Sequence, residues 1–175
     1  MHIQTHVMSG WCAGNLVSLN ARERLLCMLA ASLPDLDGLG IFYRPEAYWD
    51  YHHKLAHNAL FGLALAGVLT LFATHRTRAF FMFLGLFHLH LVLDYFGSGA
   101  GWEIPYFWPF SNWAAESAHA WPLYSWQNIT AGFAFIVWAI VIAVRQGRTP
   151  LEAIMPQLDA LLVTWLRRKL TLGTP

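Results

Sequence analysis

The chain has 175 residues, of which 57% are hydrophobic and 12% are charged, and its net charge is +1. That length fits one domain and is too short for two ordinary ones, and a charged fraction of about half the usual globular share cannot cover a water-facing surface. The charges form no basic patch with interleaved aromatic residues, so the composition favours a membrane protein and argues against nucleic-acid binding.

The N-terminal part carries two short apolar stretches. Residues 1–6 lack the positive n-region and the apolar h-region of a cleaved signal peptide. Residues 7–19 and 25–33 predict two short helices, which either enter the bilayer partway or pack against longer spans. Cys12 and Cys27 stand singly within apolar segments, so we expect packing residues rather than a disulfide or a thiolate zinc site.

Three longer apolar runs follow. Residues 59–74 and 129–144 contain no charged side chain, and with their flanks they reach the roughly 20 residues needed to cross about 30 Å of hydrocarbon. Residues 79–93 are equally apolar except for His88 and His90, and Asp94 follows directly. These runs predict three long membrane spans.

The rest of the chain suits the membrane surface. Residues 97–126 are rich in Trp, Tyr, Pro and Gly, which is typical of the headgroup layer. Residues 151–170 place hydrophobic side chains at helical spacing and end in a basic cluster, which predicts an amphipathic helix. We therefore predict an all-α fold: a polytopic helical membrane bundle of three long spans and two shorter N-terminal helices in residues 1–148, then an amphipathic cytoplasmic-face tail in residues 149–175.

Basic and acidic residues segregate between the two ends of this bundle. If the helices alternate in direction, nine of the eleven Lys and Arg residues share one side: Arg22, Arg24, Arg76, Arg78, Arg145, Arg148, Arg167, Arg168 and Lys169. By the positive-inside rule that side is cytoplasmic, and the C-terminus lies there. The opposite side holds seven of the ten acidic residues: Asp35, Asp37, Glu46, Asp50, Asp94, Glu103 and Glu116.

Histidines and aspartates gather at this non-cytoplasmic end. Four helix ends supply them: His6 on the first, Asp35 and Asp37 on the second, His53 and His57 on the third, and His90 and Asp94 on the fourth. Residues four apart share a helix face, which pairs His53 with His57 and pairs His90 with Asp94. His52 and His88 fall off those faces.

This mixture of imidazole and carboxylate groups predicts a metal site. It suits Zn²⁺ first, with Mn²⁺ and Fe²⁺ as alternatives, and the number of ligands allows one or two ions. Each member also has an ordinary structural interpretation, because Asp35 and Asp37 can form a turn and a lone histidine such as His88 is more often a packing residue. Asp94, at the end of an apolar span, costs free energy unless it is paired, coordinated or hydrated. The convergence of four helix ends favours a shared site.

These motifs together resemble a known family. They are Pro34-Asp35-Leu36-Asp37, His53–His57, His90–Asp94, Trp102-Glu103-Ile104-Pro105-Tyr106 and Trp126-Gln127-Asn128. Across residues 6–128 the chain resembles the YdjM-like (DUF457) inner-membrane metal-dependent hydrolases of bacteria. The resemblance implies a metallohydrolase in the bacterial cytoplasmic membrane, with ligand types similar to those of zinc-dependent phospholipase C and P1-type nucleases. The family commonly has arginine where this chain has Lys54, which replaces a bidentate fork with a point charge.

We expect the protein to hydrolyse a phosphoester or another ester, including a lipid-linked one, through a metal-activated water. The expected metal ligands are His6, Asp35, Asp37, His53, His57, His90 and Asp94. Asp35 is also a candidate general base, Lys54 a candidate for steadying negative charge, and Glu103 and His119 are secondary candidates. The expected partners are membrane lipid and a small-molecule or lipid-linked substrate. The alternative is a non-catalytic membrane protein whose metal ion is structural or transported.

Overall fold

The computed structural model describes residues 1–171, and its regular structure in that range is helical. The seven α-helices of this range are α1 (Ile3–Gly14), α2 (Ala21–Ser32), α3 (Pro45–Tyr51), α4 (Ala59–Thr70), α5 (Arg76–Gly97), α6 (Trp126–Gln146) and α7 (Pro156–Thr171). A 3-10 helix, Leu33–Phe42, continues directly from α2, and Ile104 and Ala115 form one isolated bridge. The all-α prediction is confirmed. Residues 172–175 of the predicted tail lie outside the described residues.

Three helical segments are long and apolar enough to cross a membrane: Ala21–Phe42, Arg76–Gly97 and Trp126–Gln146. Three long spans were predicted, but one of them differs in position. Residues 59–74 form only α4, whose 12 residues reach about 18 Å. Residues 71–73 leave the helix through hydrogen bonds to the carbonyl three residues back, and the backbone N–H groups of Thr74 and His75 then donate to the Glu23 carboxylate. The third long segment is α2 extended by the 3-10 helix.

Helix α5 lies at the centre of the bundle, in contact with α1, α2 and α4. Glycines permit the closest approaches. A Cβ atom on Gly62 of α4 would overlap the Phe87 ring of α5, and a Cβ on Gly10 of α1 would lie 2.5 Å from the Cys27 carbonyl oxygen of α2. A larger side chain at either position forces the helices apart, so these glycines determine how closely the helix ends meet.

The turns after α1, α4 and α6 meet at one end of the bundle, where the basic residues lie. The buried Arg24 guanidinium forms a bidentate ion pair with Glu152, which follows α6. Arg148 donates from Nε to the Asn15 side-chain oxygen at 2.7 Å. The buried ion pair ties the segment after α6 to α2, because either charge left alone would be costly, and the Arg148–Asn15 hydrogen bond ties it to the end of α1.

The predicted amphipathic helix is α7, which packs against α6. Pro156 begins this helix and does not bend it, as suits a residue without a backbone N–H at the first helical position. Leu161 and Trp165 are exposed on it, and Arg168 and Lys169 lie in its last turn. An exposed apolar face beside basic residues is the pattern of a helix lying on a membrane surface.

Candidate metal centre

Helix α5 contributes two adjacent polar side chains to the site. His90 and Asp94 lie one turn apart, as their spacing predicts, and His90 Nε2 is 2.9 Å from Asp94 Oδ2. Both side chains are fully buried at the end of the bundle opposite the basic turns. An ionisable pair in such a place requires further polar partners, and the neighbouring elements provide them.

Helix α1 brings His6 against this pair. Its Nε2 is 3.2 Å from Asp94 Oδ1, and its ring centroid is 3.9 Å from that of His90. The Met1 amino group and the Ser98 hydroxyl contact the same Asp94 oxygen. One Asp94 oxygen is therefore contacted by the N-terminal residues and by Ser98, while its other oxygen faces the remaining histidines.

His53 and His57 reach the site from a turn, which corrects the prediction that they begin a helix. Residues 52–58 are non-helical, His53 has a positive φ of 65°, and Asn58 caps α4 by accepting from the Phe61 N–H. The two rings nevertheless stack, with centroids 4.3 Å apart. His57 Nε2 lies 3.4 Å and His53 Nε2 lies 3.8 Å from Asp94 Oδ2.

Two overlapping sets of side chains could each hold a metal ion. The candidate donor atoms within each set lie within 4.8 Å of one another. The sets are His6, Asp35, His90 and Asp94, and His53, His57 and Asp94. Because Asp94 belongs to both, the arrangement suits one ion or a pair of ions that share this carboxylate.

Asp37 lies behind the two sets and outside them. One of its oxygens is 3.0 Å from His57 Nδ1 and accepts from the Ala56 N–H at 3.1 Å, and the other is 2.7 Å from His52 Nδ1. A carboxylate on the far nitrogen of a histidine orients the ring and raises the basicity of the near nitrogen. Spacing on a helix placed His52 away from the site, and only the turn at residues 52–58 brings it to Asp37.

The hydrogen bonds made by Nδ1 of His57 and of His90 leave the Nε2 atom of each neutral ring unprotonated, with a free lone pair. His90 Nδ1 is 2.8 Å from the Ala31 carbonyl oxygen, which can only accept, so the proton of the neutral ring is on Nδ1. The same reasoning puts the His57 proton on Nδ1, facing Asp37. The two Nε2 atoms are then 3.0 Å apart, and both face the Asp94 carboxylate. Three acceptors in one buried place require a cation between them.

The pKa values of His53 and His57, the two candidate ligands in the turn at residues 52–58, agree with the need for a cation. Burial opposes protonation of His57, but the neighbouring carboxylates of Asp37 and Asp94 outweigh it and raise the pKa of this group to about 9. Burial, reinforced by the neighbouring His57, lowers the pKa of His53 to about 2. A proton on His57 can thus serve as the cation, and a divalent metal ion would take its place.

Unsatisfied buried atoms test whether these residues fit a metal ion. Four buried side-chain atoms in the described range form no hydrogen bond: His6 Nδ1, Asp35 Oδ2, His53 Nδ1 and Asp94 Oδ2. All four atoms are on residues of the two candidate sets. Buried polar atoms are almost always satisfied, so their concentration here fits a site whose ligand is a cation.

The other predicted residues lie outside the two sets. Lys54 and Glu103 are exposed and line a cavity of about 420 Å³ that opens beside His53. A second cavity, of about 260 Å³, reaches Asp35 and shares His53 with the first. His119 is exposed, with no contact to either set.

The comparison with known families agrees with this architecture. No curated protein and no solved structure matches the chain. The family model described as YdjM inner membrane protein matches residues 1–169. With three helical segments able to cross a membrane and a match over nearly its full length, the chain belongs to the YdjM inner membrane protein family.

Proposed function

We propose that this membrane protein is a metal-dependent hydrolase that cleaves a phosphoester or another ester. The observation that carries the proposal is the convergence of the His57 and His90 Nε2 atoms, 3.0 Å apart, on the buried Asp94 carboxylate. Mixed imidazole and carboxylate ligation fits Zn²⁺ first and Mn²⁺ or Fe²⁺ next, with one or two ions. The site faces the non-cytoplasmic side, because the basic turns occupy the other end of the bundle.

The side chains divide the work. His6, His53, His57, His90 and Asp94 hold the cation or cations, with Asp94 shared between the two sets. A divalent ion bound there supplies a water of lowered pKa as the nucleophile near neutral pH.

Asp35 and Lys54 act on the water and on the substrate rather than on the metal ion. Asp35 Oδ2 is buried without a hydrogen bond beside the smaller cavity, where it can accept a proton from water. Lys54 faces the larger cavity, where its ammonium group can bind an anionic substrate group as a point charge. Asp37 acts through His57 as a positioning residue.

The rival function is a structural or transported metal ion. A structural site closes its coordination shell with protein, whereas a catalytic site keeps an open position. Two cavities adjoin His53, and one of them reaches Asp35, which supports access for water and substrate. A transport path would continue toward the basic end, yet α4, which begins beside His57, contains no ionisable residue. These features favour catalysis.

The test is metal analysis of detergent-purified protein, followed by hydrolysis of bis(p-nitrophenyl) phosphate. We expect wild type to retain zinc and to hydrolyse the substrate, and we expect His57→Ala and Asp94→Ala to lose both. The matched control is His75→Ala, which removes an exposed histidine at the basic end and leaves both readouts unchanged. Full metal occupancy in His57→Ala and Asp94→Ala contradicts the site, and bound metal in wild type without hydrolysis of any ester supports the rival.

A further inference from the structure

The larger cavity is lined by aromatic and charged side chains that are not among the candidate metal ligands. Trp49, Trp102 and Trp108 contribute indole rings, and Lys54 and Glu103 contribute opposite charges. Trp102 connects the cavity to the metal centre, because its ring centroid is 5.2 Å from that of His53 and 5.2 Å from that of Trp49, on which it stacks. A ligand in this cavity therefore lies directly beside the second set of candidate metal ligands.

The charges of this cavity match a zwitterion. Within the described residues, the Lys54 ammonium and the Glu103 carboxylate form no hydrogen bond or ion pair, whereas Asp50 is paired with Arg44 at 3.3 Å. The free cation, Lys54, lines the same cavity as His53, so it can bind the phosphate of a ligand in this cavity. The free anion and the indole rings offer the two groups that bind an ammonium ion, a carboxylate and an aromatic face. A neutral or purely anionic ligand leaves Glu103 without a counter-charge.

The surroundings of the cavity are apolar and exposed. Trp49, which lines it, is 69% exposed, and Phe110 and Trp113, which are close in sequence to the lining residues Trp108 and Asn112, are 84% and 57% exposed. Phe42, on the 3-10 helix that precedes α3, is 85% exposed. In a protein of three membrane-capable segments, such side chains at one end of the bundle suit the boundary between headgroups and acyl chains.

We propose that the 420 Å³ cavity binds a phosphodiester carrying a primary ammonium, the headgroup chemistry of phosphatidylethanolamine, with the phosphate toward His53 and Lys54 and the ammonium toward Glu103. This proposal rests on the proposed function, because the phosphate is the group that the metal centre cleaves. It names the lipid as the source, since the apolar rim accommodates acyl chains that a soluble phosphodiester lacks. The cavity thereby selects the substrate before the metal centre acts on it.

The first test measures binding of two soluble headgroup probes by titration calorimetry. Zinc-loaded protein in detergent is titrated with sn-glycero-3-phosphoethanolamine and with sn-glycero-3-phosphoglycerol, of which only the first carries an ammonium group. We expect wild type to bind the ethanolamine probe about fivefold more tightly, the most that an exposed ion pair contributes. Glu103→Gln abolishes this preference. Glu46→Gln, which removes an exposed carboxylate on α3 outside the cavity, retains it. Equal binding of the two probes by wild type, or a preference that survives in Glu103→Gln, overturns the proposal.

The second test identifies the source of the headgroup. The ethanolamine probe is titrated into protein held in nanodiscs of phosphatidylethanolamine or of phosphatidylglycerol. Competition by the lipid weakens probe binding only in the phosphatidylethanolamine discs, and equal binding in both discs overturns the assignment to lipid. Hydrolysis of bis(p-nitrophenyl) phosphate is measured on the same samples. If the protein hydrolyses the substrate but binds both probes equally, only the proposal of an ethanolamine headgroup site is overturned. If the protein prefers the ethanolamine probe but hydrolyses nothing, the headgroup site is supported and the proposed function is contradicted.

Discussion

Replacing Asp37 by asparagine separates a residue that orients a metal ligand from a ligand itself. Asp37 contacts His57 Nδ1 at 3.0 Å and His52 Nδ1 at 2.7 Å, and it accepts from the Ala56 N–H at 3.1 Å. Asparagine keeps the size of the side chain and one acceptor oxygen, but it loses the negative charge and turns the other oxygen into a donor. One of the two histidines therefore faces an N–H group or rotates.

The size of the effect follows from the position of Asp37 behind His57. Loss of a carboxylate on the far nitrogen of a metal-bound histidine typically weakens metal affinity by about 10-fold to 100-fold. That range corresponds to about 1.4 to 2.7 kcal/mol. We expect Asp37→Asn to fall within it, because His57 is the member of its set that Asp37 contacts directly. The number of bound ions at saturation stays the same.

The assay is competition for zinc against a chromogenic chelator, with elemental analysis of the saturated protein. The matched control is Asp50→Asn, which changes an exposed carboxylate on α3 and leaves zinc affinity within twofold of wild type. An unchanged affinity in Asp37→Asn refutes the positioning role. Loss of a whole equivalent of zinc at saturation also refutes the positioning role, because it would show that Asp37 is itself a metal ligand.

Three further predictions concern topology, packing and pH. A membrane-impermeant maleimide labels Ala100→Cys from the non-cytoplasmic side and labels Gln146→Cys only after the membrane is opened. The background labelling is low because both native cysteines are buried. Labelling of both variants from one side contradicts the orientation. Gly62→Ala forces α4 away from α5 and lowers stability by about 1 to 3 kcal/mol in thermal unfolding, whereas Gly67→Ala, whose Cβ meets nothing within 4 Å, costs little. Because the pKa of His57 without metal is raised to about 9, zinc must displace a proton from this residue at pH 7. Zinc affinity therefore increases about tenfold per pH unit from pH 7 to 9. A zinc affinity that does not change with pH in this range contradicts the prediction.

The sequence alone determined the class of the protein and the end of the bundle where the site lies. Long apolar runs without charges predict helices in a bilayer, since a helix satisfies every backbone polar group within the segment. The segregation of arginines from aspartates then placed the candidate residues at one end. The pairing of His90 with Asp94 followed from helical spacing, because both lie within α5 and nothing outside a helix changes that geometry.

Only the tertiary structure decided how the turn histidines are used. The spacing of His53 and His57 predicted one helix face, yet residues 52–58 form a turn whose backbone is held by Asp37, a residue that precedes them by many positions. The same turn brings His52 to Asp37 and moves Asp37 behind the candidate ligands. Likewise α4 ends early, and the backbone that follows it is bound by a carboxylate on α2. Hydrogen bonds between distant segments compete with local helix formation, and their outcome depends on packing that a local pattern does not contain.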